Sequence, residues 1–413
     1  MNILILHRIP YYKIEYHRGI DHAKHHVVYI GTAENIANLP ENLSCQKIIR
    51  AGKKDIENEI VDYIKQSPYP FDRIISLSEY ELMTAAKLRE LFNVEGPKPL
   101  EVELVRNKLT MKTALANAGI KVPAFASLES LLSNKAFSHV GKVVIKPIDG
   151  ASSKDVILCK NVEYAIKTVQ QGNTGITELD QRLKSLDAYE IEAFIEGKIF
   201  HIDGLVQNGK LVGCLASQYV GTCLDYAKGK PLGSVQIATT ITMQEWTQRC
   251  IEAVQIKNGS FHLEAIESSE GLVFLEIANR VGGADVVKTF ELATSIHLPS
   301  CELKFMLGED SMKTNIKQSS YCYGWFVFPG HQLVSGFAKT INSHQCKHHR
   351  FILNWYELQE DQPCQKHITY QPHEVPIAGI VKGNDSQELI QFLQHMFNRV
   401  SVVDKKQYLE NVA

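Results

Sequence analysis

The sequence predicts an α/β protein of several lobes that begins with a small parallel, Rossmann-like α/β domain. In residues 1–100, strand-like runs alternate with helix-like stretches, the order expected of a parallel sheet covered by helices. The strand-like runs lie at 2–6, 27–30 and 73–77, and the helix-like stretches at 54–66 and 79–91. Further along, β-rich runs flank a loop of small residues, and two more form an antiparallel hairpin that carries a glutamate on each strand.

Length and composition favour a multi-domain enzyme that acts on small molecules. The chain has 413 residues, 44% of them hydrophobic, and a formal net charge of −2. A net charge this small provides no electrostatic attraction to nucleic acid or to an anionic membrane. No apolar run reaches the roughly 18 residues of a membrane span. Nine cysteines at irregular spacing match neither a disulfide framework nor a zinc site, so we expect free thiols and a cytoplasmic location.

The first segment of interest is 101–118, which carries apolar residues along one helical face and ends just before Gly119. A glycine at that place is typical of the end of a helix, so we expect one helix across the whole segment. Lys108 lies within it. On its own, Lys108 would be interpreted as a lysine on the helix surface.

The small-residue loop at 150–154 follows a β-rich run that contains Lys146. Glycine, alanine and serine let backbone N–H groups and hydroxyls approach an anion, and Lys146 adds a positive charge just before them. The loop lacks the Gly-x-x-x-x-Gly-Lys-Ser/Thr pattern of a Walker A motif and is not a dinucleotide fingerprint. A phosphate-binding loop and a plain hairpin turn are both compatible with this segment taken alone.

Glu264 and Glu276 lie on either side of a turn at 267–271, in runs that both have the character of strands. In a hairpin centred near Glu270 they face each other with Cβ atoms about 5 Å apart, and like charges so placed are destabilising unless neutralised. A divalent cation would neutralise them. The period of two places Arg280 on the face of Glu276, so metal ligands and a guanidinium would share one cavity. The alternative is a solvent-facing hairpin with two unrelated glutamates.

We expect three domains along the chain. Residues 1–100 would form the amino-terminal α/β domain, 101–189 a central lobe with the phosphate loop, and 190–413 a carboxyl-terminal lobe with the two glutamates. In the last part of the chain, strands are expected near 323–328 and 378–381 and a helix at 386–397.

Taken in order, these segments resemble the ATP-grasp superfamily. The residues that carry the resemblance are Arg106-Asn107-Lys108, Val144-Ile145-Lys146-Pro147, Gly150-Ala151-Ser152-Ser153, Glu190-Ile191-Glu192-Ala193-Phe194-Ile195-Glu196-Gly197, Phe261-His262-Leu263-Glu264 and Leu275-Glu276-Ile277-Ala278-Asn279-Arg280. Three further runs are similar to bacterial carboxylate–amine ligases of the L-amino-acid ligase, or dipeptide synthase, type. They are Phe200-His201-Ile202-Asp203-Gly204, Ser217-Gln218-Tyr219 and Arg280-Val281-Gly282-Gly283. The resemblance covers roughly residues 1–300, and its specificity lies in the order and spacing of short motifs.

The resemblance implies an ATP-grasp fold preceded by the amino-terminal α/β domain, and it assigns a nucleotide site. Lys108 and Lys146 would contact the phosphates of ATP, with the loop residues Gly150, Ser152 and Ser153 closing over them. The hinge along the adenine edge would be formed, mainly through backbone groups, by Glu192, Ala193, Phe194, Ile195 and Glu196.

The resemblance also assigns the metal and the substrate. Glu264 and Glu276 would hold Mg²⁺, with Mn²⁺ as an alternative ion, and Arg280 would be the catalytic residue that faces the substrate carboxylate and the transferred phosphoryl group. His201, Gly282 and Gly283 would lie near the substrate.

The sequence departs from the superfamily pattern at two positions. Many relatives have an asparagine two residues after the second glutamate as a further metal ligand, whereas this chain has Ala278 there and Asn279 one position later. A glutamate that often binds the ribose is replaced by Ile199, and Glu196 and His201 are the candidates to take its place.

The reaction implied is the ADP-forming ligation of a carboxylate to an amine through an acyl phosphate, most simply from two free L-amino acids. We expect amino acids as partners, and a homodimer is compatible with the sequence. The donor pocket would border Glu79 and Glu81, whose carboxylates match a guanidinium and make arginine the first donor to consider. Either acid could instead favour the amino terminus of a helix. Two other classes stay open: a related enzyme with a thiol, hydroxyl or non-amino-acid amine as acceptor, and a non-catalytic nucleotide-binding regulator.

Overall fold

A computed structural model describes residues 1–134, 137–269, 271–309 and 319–412. Glu270, at the expected centre of the glutamate hairpin, lies outside the described residues. In the part of the chain that is described, no helix is long and apolar enough to cross a membrane.

The amino-terminal lobe is a parallel α/β layer, as predicted. Its sheet has the order β3-β2-β1-β4, and all neighbouring strands are parallel. The strands are β1 (Asn2–Leu6), β2 (His26–Gly31), β3 (Gln46–Ile49) and β4 (Arg73–Ile75), and the helices are α1 (Tyr11–Ile14), α2 (Ala33–Ala37), α3 (Ile56–Gln66) and α4 (Leu82–Leu91). Ile3 and Ile5 pack in one core and Leu4 and Leu6 in another. Both faces of the sheet are therefore buried, which explains the continuous apolar run of β1.

The segment 101–118 does not form the single helix that was expected. It contains the end of α5 (Pro99–Glu103) and all of α6 (Lys108–Asn117). The side chain of Asn107 accepts hydrogen bonds from the backbone N–H groups of Leu109 and Thr110, at 3.0 and 3.3 Å. This N-cap starts a new helix at Lys108 and outweighs the apolar periodicity that runs through the break. The expected end of the helix is confirmed, since Gly119 follows it with φ of +70°.

The central lobe is an antiparallel sheet of order β5-β8-β6-β7 with helices on it. The strands are β5 (Phe125–Ser127), β6 (Val143–Pro147), β7 (Ile157–Cys159) and β8 (Tyr189–Ala193), and the helices that follow α6 are α7 (Leu128–Asn134), α8 (Val162–Gln170) and α9 (Thr177–Asp180). Val143, Ile145 and Ile191 are wholly buried in the core of this lobe. The alternate residues of β6 point the other way, which places Lys146 on the face turned toward the carboxyl-terminal lobe.

The carboxyl-terminal lobe is built on one antiparallel sheet of order β13-β12-β9-β10-β11-β14-β17-β16, and a small second sheet pairs β15 with β18. The strands are β9 (Lys198–Gln207), β10 (Lys210–Val220), β11 (Leu232–Ile237), β12 (Gly259–Ser268), β13 (Gly271–Ala278), β14 (Cys322–Phe328), β15 (Ala338–Ile341), β16 (Ile352–Glu357), β17 (Ile377–Gly383) and β18 (Ser401–Asp404). The helices are α10 (Cys223–Ala227), α11 (Ile241–Ala253), α12 (Val286–Thr294), α13 (Leu298–Met306), α14 (Ser343–Lys347), α15 (Ser386–Arg399) and α16 (Lys405–Val412). The two late strands and the late helix expected from the sequence are therefore present as β14, β17 and α15.

The register of the β12–β13 hairpin is the one predicted. Glu264 lies directly opposite Glu276 in the ladder, and Leu263 lies opposite Ile277. Beyond this pair, Ala265 lies opposite Phe274, so a bulge places one extra residue, Leu275, in β13. Bulges re-aim side chains and are common beside active sites.

Helix α13 ties the amino-terminal lobe to the large sheet. Leu303 and Leu307 of this segment pack in the amino-terminal core with Ile3 and Ile5. In addition, Arg73 at the start of β4 donates a hydrogen bond from Nε to the carbonyl oxygen of Met306 at 2.7 Å. These contacts hold the amino-terminal lobe against the carboxyl-terminal lobe.

Candidate active site

A cavity of about 1010 Å³ lies where the three lobes meet. Its walls include α1 of the amino-terminal lobe, the loop 150–154 of the central lobe, and strands β12 and β13 of the carboxyl-terminal lobe. A cavity of this size is at the upper end of the range for small-molecule sites. Of the site residues predicted from sequence, all line this cavity except His201 and Glu81.

The two opposed glutamates are at the centre of the charged wall. The side chain of Glu276 lies 3.2 Å from Nζ of Lys108, and Glu264 accepts a hydrogen bond from the hydroxyl of Tyr219 at 2.8 Å. Burial opposes the ionisation of Glu276, but the positive charges of Lys108 and Lys146 outweigh it and lower its pKa to about 2. Glu276 is therefore ionised at neutral pH, as a metal ligand must be.

The carboxylate pair fits a hard divalent cation. Glu264 and Glu276 present oxygen ligands from adjacent strands, and oxygen is the donor that Mg²⁺ prefers. Asn279 does not line the cavity and so does not add to this set; its side-chain amide nitrogen donates to the carbonyl oxygens of Ser260 and Asn258, at 2.8 and 3.3 Å. The departure at Ala278 and Asn279 thus leaves two protein carboxylates as the ligands that the hairpin offers.

Lys108 is held at the first position of α6. Its ammonium group donates to the carbonyl oxygen of Gly150 at 2.7 Å, in addition to its contact with Glu276, and the residue is only 6% exposed. The cap formed by Asn107 fixes the direction in which the helix starts and hence where Lys108 points. Lys108 therefore connects the small-residue loop to the carboxylate pair, and it is not the surface lysine that its helix position alone would indicate.

The loop 150–154 has an unusual backbone conformation. Ser152 and Ser153 are consecutive non-glycine residues with positive φ, at 59° and 52°. Such left-handed residues cost roughly 1–2 kcal/mol each and are found where function requires them. Runs of backbone N–H groups in unusual turns form concave anion-binding nests. The geometry supports the interpretation as a phosphate loop over that of a plain hairpin turn.

A segment from near the end of the chain, 367–374, crosses the cavity beside this loop. The ring of Tyr370 stacks on Tyr226 with centroids 4.8 Å apart, and Tyr370 lines the cavity together with Ser152. Tyr226 in turn donates to the carbonyl oxygen of Thr369 at 2.6 Å. Residues 370–373 therefore form part of the cavity wall, which no local sequence pattern indicated.

Lys146 belongs to a buried ionic cluster. Its Nζ lies 2.5 Å from Glu192 and 3.6 Å from Glu190, and the wholly buried Lys112 of α6 contacts both carboxylates, Glu190 at 2.7 Å. Burial would lower the pKa of Lys146, but Glu192 and Glu190 outweigh it and raise that pKa. Burial would likewise raise the pKa of Glu192, but Lys112 and Lys146 lower it to about 2. Lys146 is therefore a fixed positive charge on the cavity wall.

The predicted hinge residues follow this cluster along β8. The side chain of Glu192 is in the cluster, while the backbone N–H groups of Ala193 and Phe194 donate to Ala124 and Lys142, at 2.8 and 3.0 Å. Glu196 is exposed and forms an ion pair with Lys142 at 2.9 Å. Residues 192–196 all line the cavity.

Arg280 is anchored from the amino-terminal lobe. One carboxylate oxygen of Glu79 accepts a hydrogen bond from Nε of Arg280, and the other accepts from Arg106. Burial would raise the pKa of Glu79, but the two guanidinium groups lower it. Both oxygens of Glu79 are therefore occupied by protein groups, and Glu81 is 4% exposed and does not line the cavity. The expected donor pocket of two free glutamates is not what the structure shows.

His201 lies behind the cavity in a chain of buried polar groups. Its Nε2 contacts Ser234 Oγ at 2.6 Å and its Nδ1 contacts Asp203 at 2.5 Å, and the other oxygen of Asp203 contacts His262 at 2.8 Å. His262 then lies 3.5 Å from Glu264. Burial would lower the pKa of His262, but Asp203 and Glu264 outweigh it and raise the pKa to about 10. His201 therefore supports Glu264 through other residues.

Gly282 is required by the same chain of polar groups. A Cβ atom there would lie 2.8 Å from both Asp203 Oδ1 and His262 Nδ1, within the distance that forces atoms to move. Gly283, by contrast, is exposed, and an added Cβ would come no closer than 4.0 Å to Tyr370. Gly282 therefore lets the backbone after Arg280 pack closely against Asp203 and His262, the residues that connect His201 to Glu264.

Comparison with known proteins agrees with this geometry. Residues 140–288 match the ATP-grasp domain. The L-arginine-specific L-amino acid ligase of Bacillus subtilis is 26% identical over 267 residues, which are 63% of this chain and 63% of that protein. The chain thus aligns with less than two thirds of the length of this curated relative.

Two solved structures extend the likeness to the whole chain. An L-amino acid ligase from Bacillus licheniformis superposes with a TM-score of 0.72, at 17% identity, and covers 98% of both chains. The N5-carboxyaminoimidazole synthetase from Staphylococcus aureus, complexed with ADP, superposes with a TM-score of 0.64 at 15% identity and covers 96% of both. At these identities the likeness shows the fold.

Proposed function

Because residues 140–288 form an ATP-grasp domain, we propose that the protein is an ATP- and Mg²⁺-dependent ligase that joins a carboxylate to an amine. The observation that carries the proposal is the cross-strand pair of Glu264 and Glu276 beside two buried lysines and an arginine held in place. A cluster of fixed charges around one point, with no nucleophile required, suits phosphoryl transfer, in which catalysis is mainly positioning and electrostatics.

Each residue has a defined task in this proposal. Lys108 and Lys146 bind phosphate oxygens, and the backbone of the loop 150–154 covers them. Glu264 and Glu276 would hold a divalent cation, which would supply neutralisation of phosphate charge. Arg280, held by Glu79, binds the donor carboxylate and the transferred phosphoryl group. The loop 150–154 excludes water, which would hydrolyse the acyl phosphate.

The bond changes follow from this arrangement. An oxygen of the donor carboxylate attacks the γ-phosphorus of ATP and ADP leaves, giving an acyl phosphate. The amine of the acceptor then attacks the acyl carbon, phosphate leaves, and the amine loses a proton as the amide forms. The lysines and Arg280 stabilise the charge on the phosphates throughout.

For substrates, we propose two free L-amino acids and a dipeptide product. The similarity to the L-arginine-specific relative makes arginine the first donor to assay. Glu79 no longer supports that choice, because its two oxygens are occupied by Arg106 and Arg280. The preference for arginine therefore rests on the relative alone.

The test is a survey of product formation with Mg-ATP and the twenty amino acids, singly and in pairs, by nucleotide analysis and mass spectrometry. We expect ADP and phosphate in equal amounts with a dipeptide, and no product from Lys108→Met. AMP as the main nucleotide product would refute the acyl-phosphate route. ATP turnover without any amide product would exclude the ligase and leave a kinase-like or regulatory role.

A further inference from the structure

Lys13 of α1 reaches the same cavity from the amino-terminal lobe. Its side chain is 19% exposed, and its Nζ lies 3.7 Å from Asp285 and 3.3 Å from the carbonyl oxygen of Ala284, just before α12. The ring of Tyr12 is 5.8 Å away at its centroid. Both polar contacts are longer than the roughly 2.7–2.9 Å of a good charge-assisted hydrogen bond.

The lysines and arginines on the cavity wall differ in whether they have a close protein partner. Among the described residues, the lysines and arginines that line the cavity with less than a fifth of the side chain exposed are Lys13, Lys108, Lys146 and Arg280. The last three each have a close protein partner and a task at the phosphates or the donor carboxylate. Lys13 has neither.

The pair that Lys13 forms with Asp285 is incompletely compensated. Burial lowers the pKa of Lys13, and Asp285 only partly offsets this, while burial raises the pKa of Asp285 itself. An ammonium group has three N–H donors, and among the described residues Nζ of Lys13 has two acceptors, both at long range. A half-buried cation in this situation would be stabilised by a further anion that enters the cavity.

The chemistry of the proposed reaction supplies such an anion. When two amino acids are joined, the donor carboxylate becomes the amide carbonyl and the acceptor amine becomes the amide nitrogen. The acceptor carboxylate alone keeps its charge from substrate to product, so it needs a cation that the phosphates do not occupy.

On the basis of the proposed function, we propose that Lys13 binds the free carboxylate of the acceptor amino acid. Lys13 contacts Ala284, four residues along the chain from Arg280, and an extended chain spans at most about 3.6 Å per residue. The two positive groups therefore border one region, with the donor at Arg280 and the acceptor carboxylate at Lys13. Asp285 competes with the substrate for Lys13 and keeps the ammonium group in place when no acceptor is bound.

The experiment compares the best acceptor amino acid from the survey with the α-carboxamide of the same amino acid, in wild type and in Lys13→Gln. We expect wild type to prefer the acid, and Lys13→Gln to raise the KM for the acid about tenfold or more while the kcat/KM for the amide changes little. The KM for ATP should not change. Lys24→Gln, an exposed lysine of the same lobe, is the matched control.

A second variant separates substrate binding from a purely structural contact between lobes. Asp285→Asn removes the competing anion, so the KM for the acid should stay the same or fall, opposite to the effect of Lys13→Gln. An unchanged preference for acid over amide in Lys13→Gln, or a parallel rise of all KM values in both variants, would overturn the assignment while ligation itself stands. Absence of ligation for every pair in wild type would overturn the proposed function together with this inference.

Discussion

Glu79, at the edge of the amino-terminal lobe, accepts a hydrogen bond from Nε of Arg280 in the carboxyl-terminal lobe. The contact spans two lobes and 201 positions of sequence. It fixes the direction of the guanidinium, and Nη1 of Arg280 donates in addition to the carbonyl oxygen of Val281 at 2.7 Å. Among the described residues, Nη2 is therefore the guanidinium nitrogen without a protein acceptor. The placement of Arg280 therefore depends on how the amino-terminal lobe is docked.

We predict that Glu79→Gln lowers kcat about tenfold or more, because a neutral amide cannot accept from both Arg280 and Arg106 and a small displacement of a positioned group is costly. Unfolding free energy should fall by about 1–3 kcal/mol. Steady-state kinetics and urea unfolding measure both. Glu57→Gln removes an exposed pair with Lys87 and should change neither. A normal kcat in Glu79→Gln would mean that Arg280 needs no such support.

We predict that Glu276→Gln abolishes turnover at saturating Mg²⁺. The hairpin alone predicts that this change leaves the stability of the apo protein unchanged or raises it slightly, because it relieves repulsion with Glu264. The structure corrects that expectation, since three positive groups surround Glu276 and hold its pKa near 2. Unfolding free energy should therefore fall by about 1–3 kcal/mol without ligands. Glu267→Gln, exposed on the same hairpin, is the control, and a wild-type rate in Glu276→Gln would remove the metal assignment.

Lys112→Met should cost about 3–5 kcal/mol of unfolding free energy, because it leaves Glu190 and Glu192 buried with fewer positive partners. The KM for ATP should rise as well, since Glu192 would then bind Lys146 more strongly. Denaturant unfolding and initial rates give the two numbers. Lys167→Met on the exposed face of α8 should be neutral. A loss below about 1 kcal/mol in Lys112→Met would show that the cluster tolerates an unpaired carboxylate.

Glu302 provides a prediction about pH. It is 1% exposed in α13 and accepts a hydrogen bond from Ser260, and its burial raises its pKa from 4.5 to about 7. A carboxyl group whose pKa is raised by folding stabilises the protein below pH 4.5 and loses that contribution as the pH rises to about 7. Glu302→Gln should therefore gain stability over wild type across this window, by up to about 3 kcal/mol. Urea unfolding at several pH values measures this gain. Glu309→Gln, which changes an exposed residue, is the control and should show no gain. A stability difference between Glu302→Gln and wild type that stays constant with pH would contradict the raised pKa of Glu302.

Sequence reasoning predicted best where the pattern is local. The period of two in β12 and β13, with a turn between them, was enough to place Glu264 opposite Glu276. The alternation of strands and helices predicted the parallel amino-terminal sheet, and Gly119 marked the end of α6. Each of these features depends on residues close in sequence, whose spacing carries the information.

The predictions that failed concern residues whose interaction partners are mostly distant in sequence. Glu79 was interpreted as free for a substrate because Arg106 and Arg280 are distant in sequence. Lys112 gave no signal, because a lysine in a helix is ordinarily solvated and only its neighbours in β8 explain its burial. The break in the segment 101–118 depended on one capping side chain, Asn107, against a continuous apolar pattern.

The segment 367–374 has a consequence for the synthesis of the protein. The hydroxyl of Tyr12, near the start of the chain, donates to Gln371 at 2.9 Å, so segments distant in sequence meet at the cavity. During translation the amino-terminal sheet emerges from the ribosome first and can bury its core early. The cavity is completed only after residue 371 has been made. A nascent or truncated chain can therefore fold its first lobe while it lacks the wall of the cavity that residues 370–373 provide.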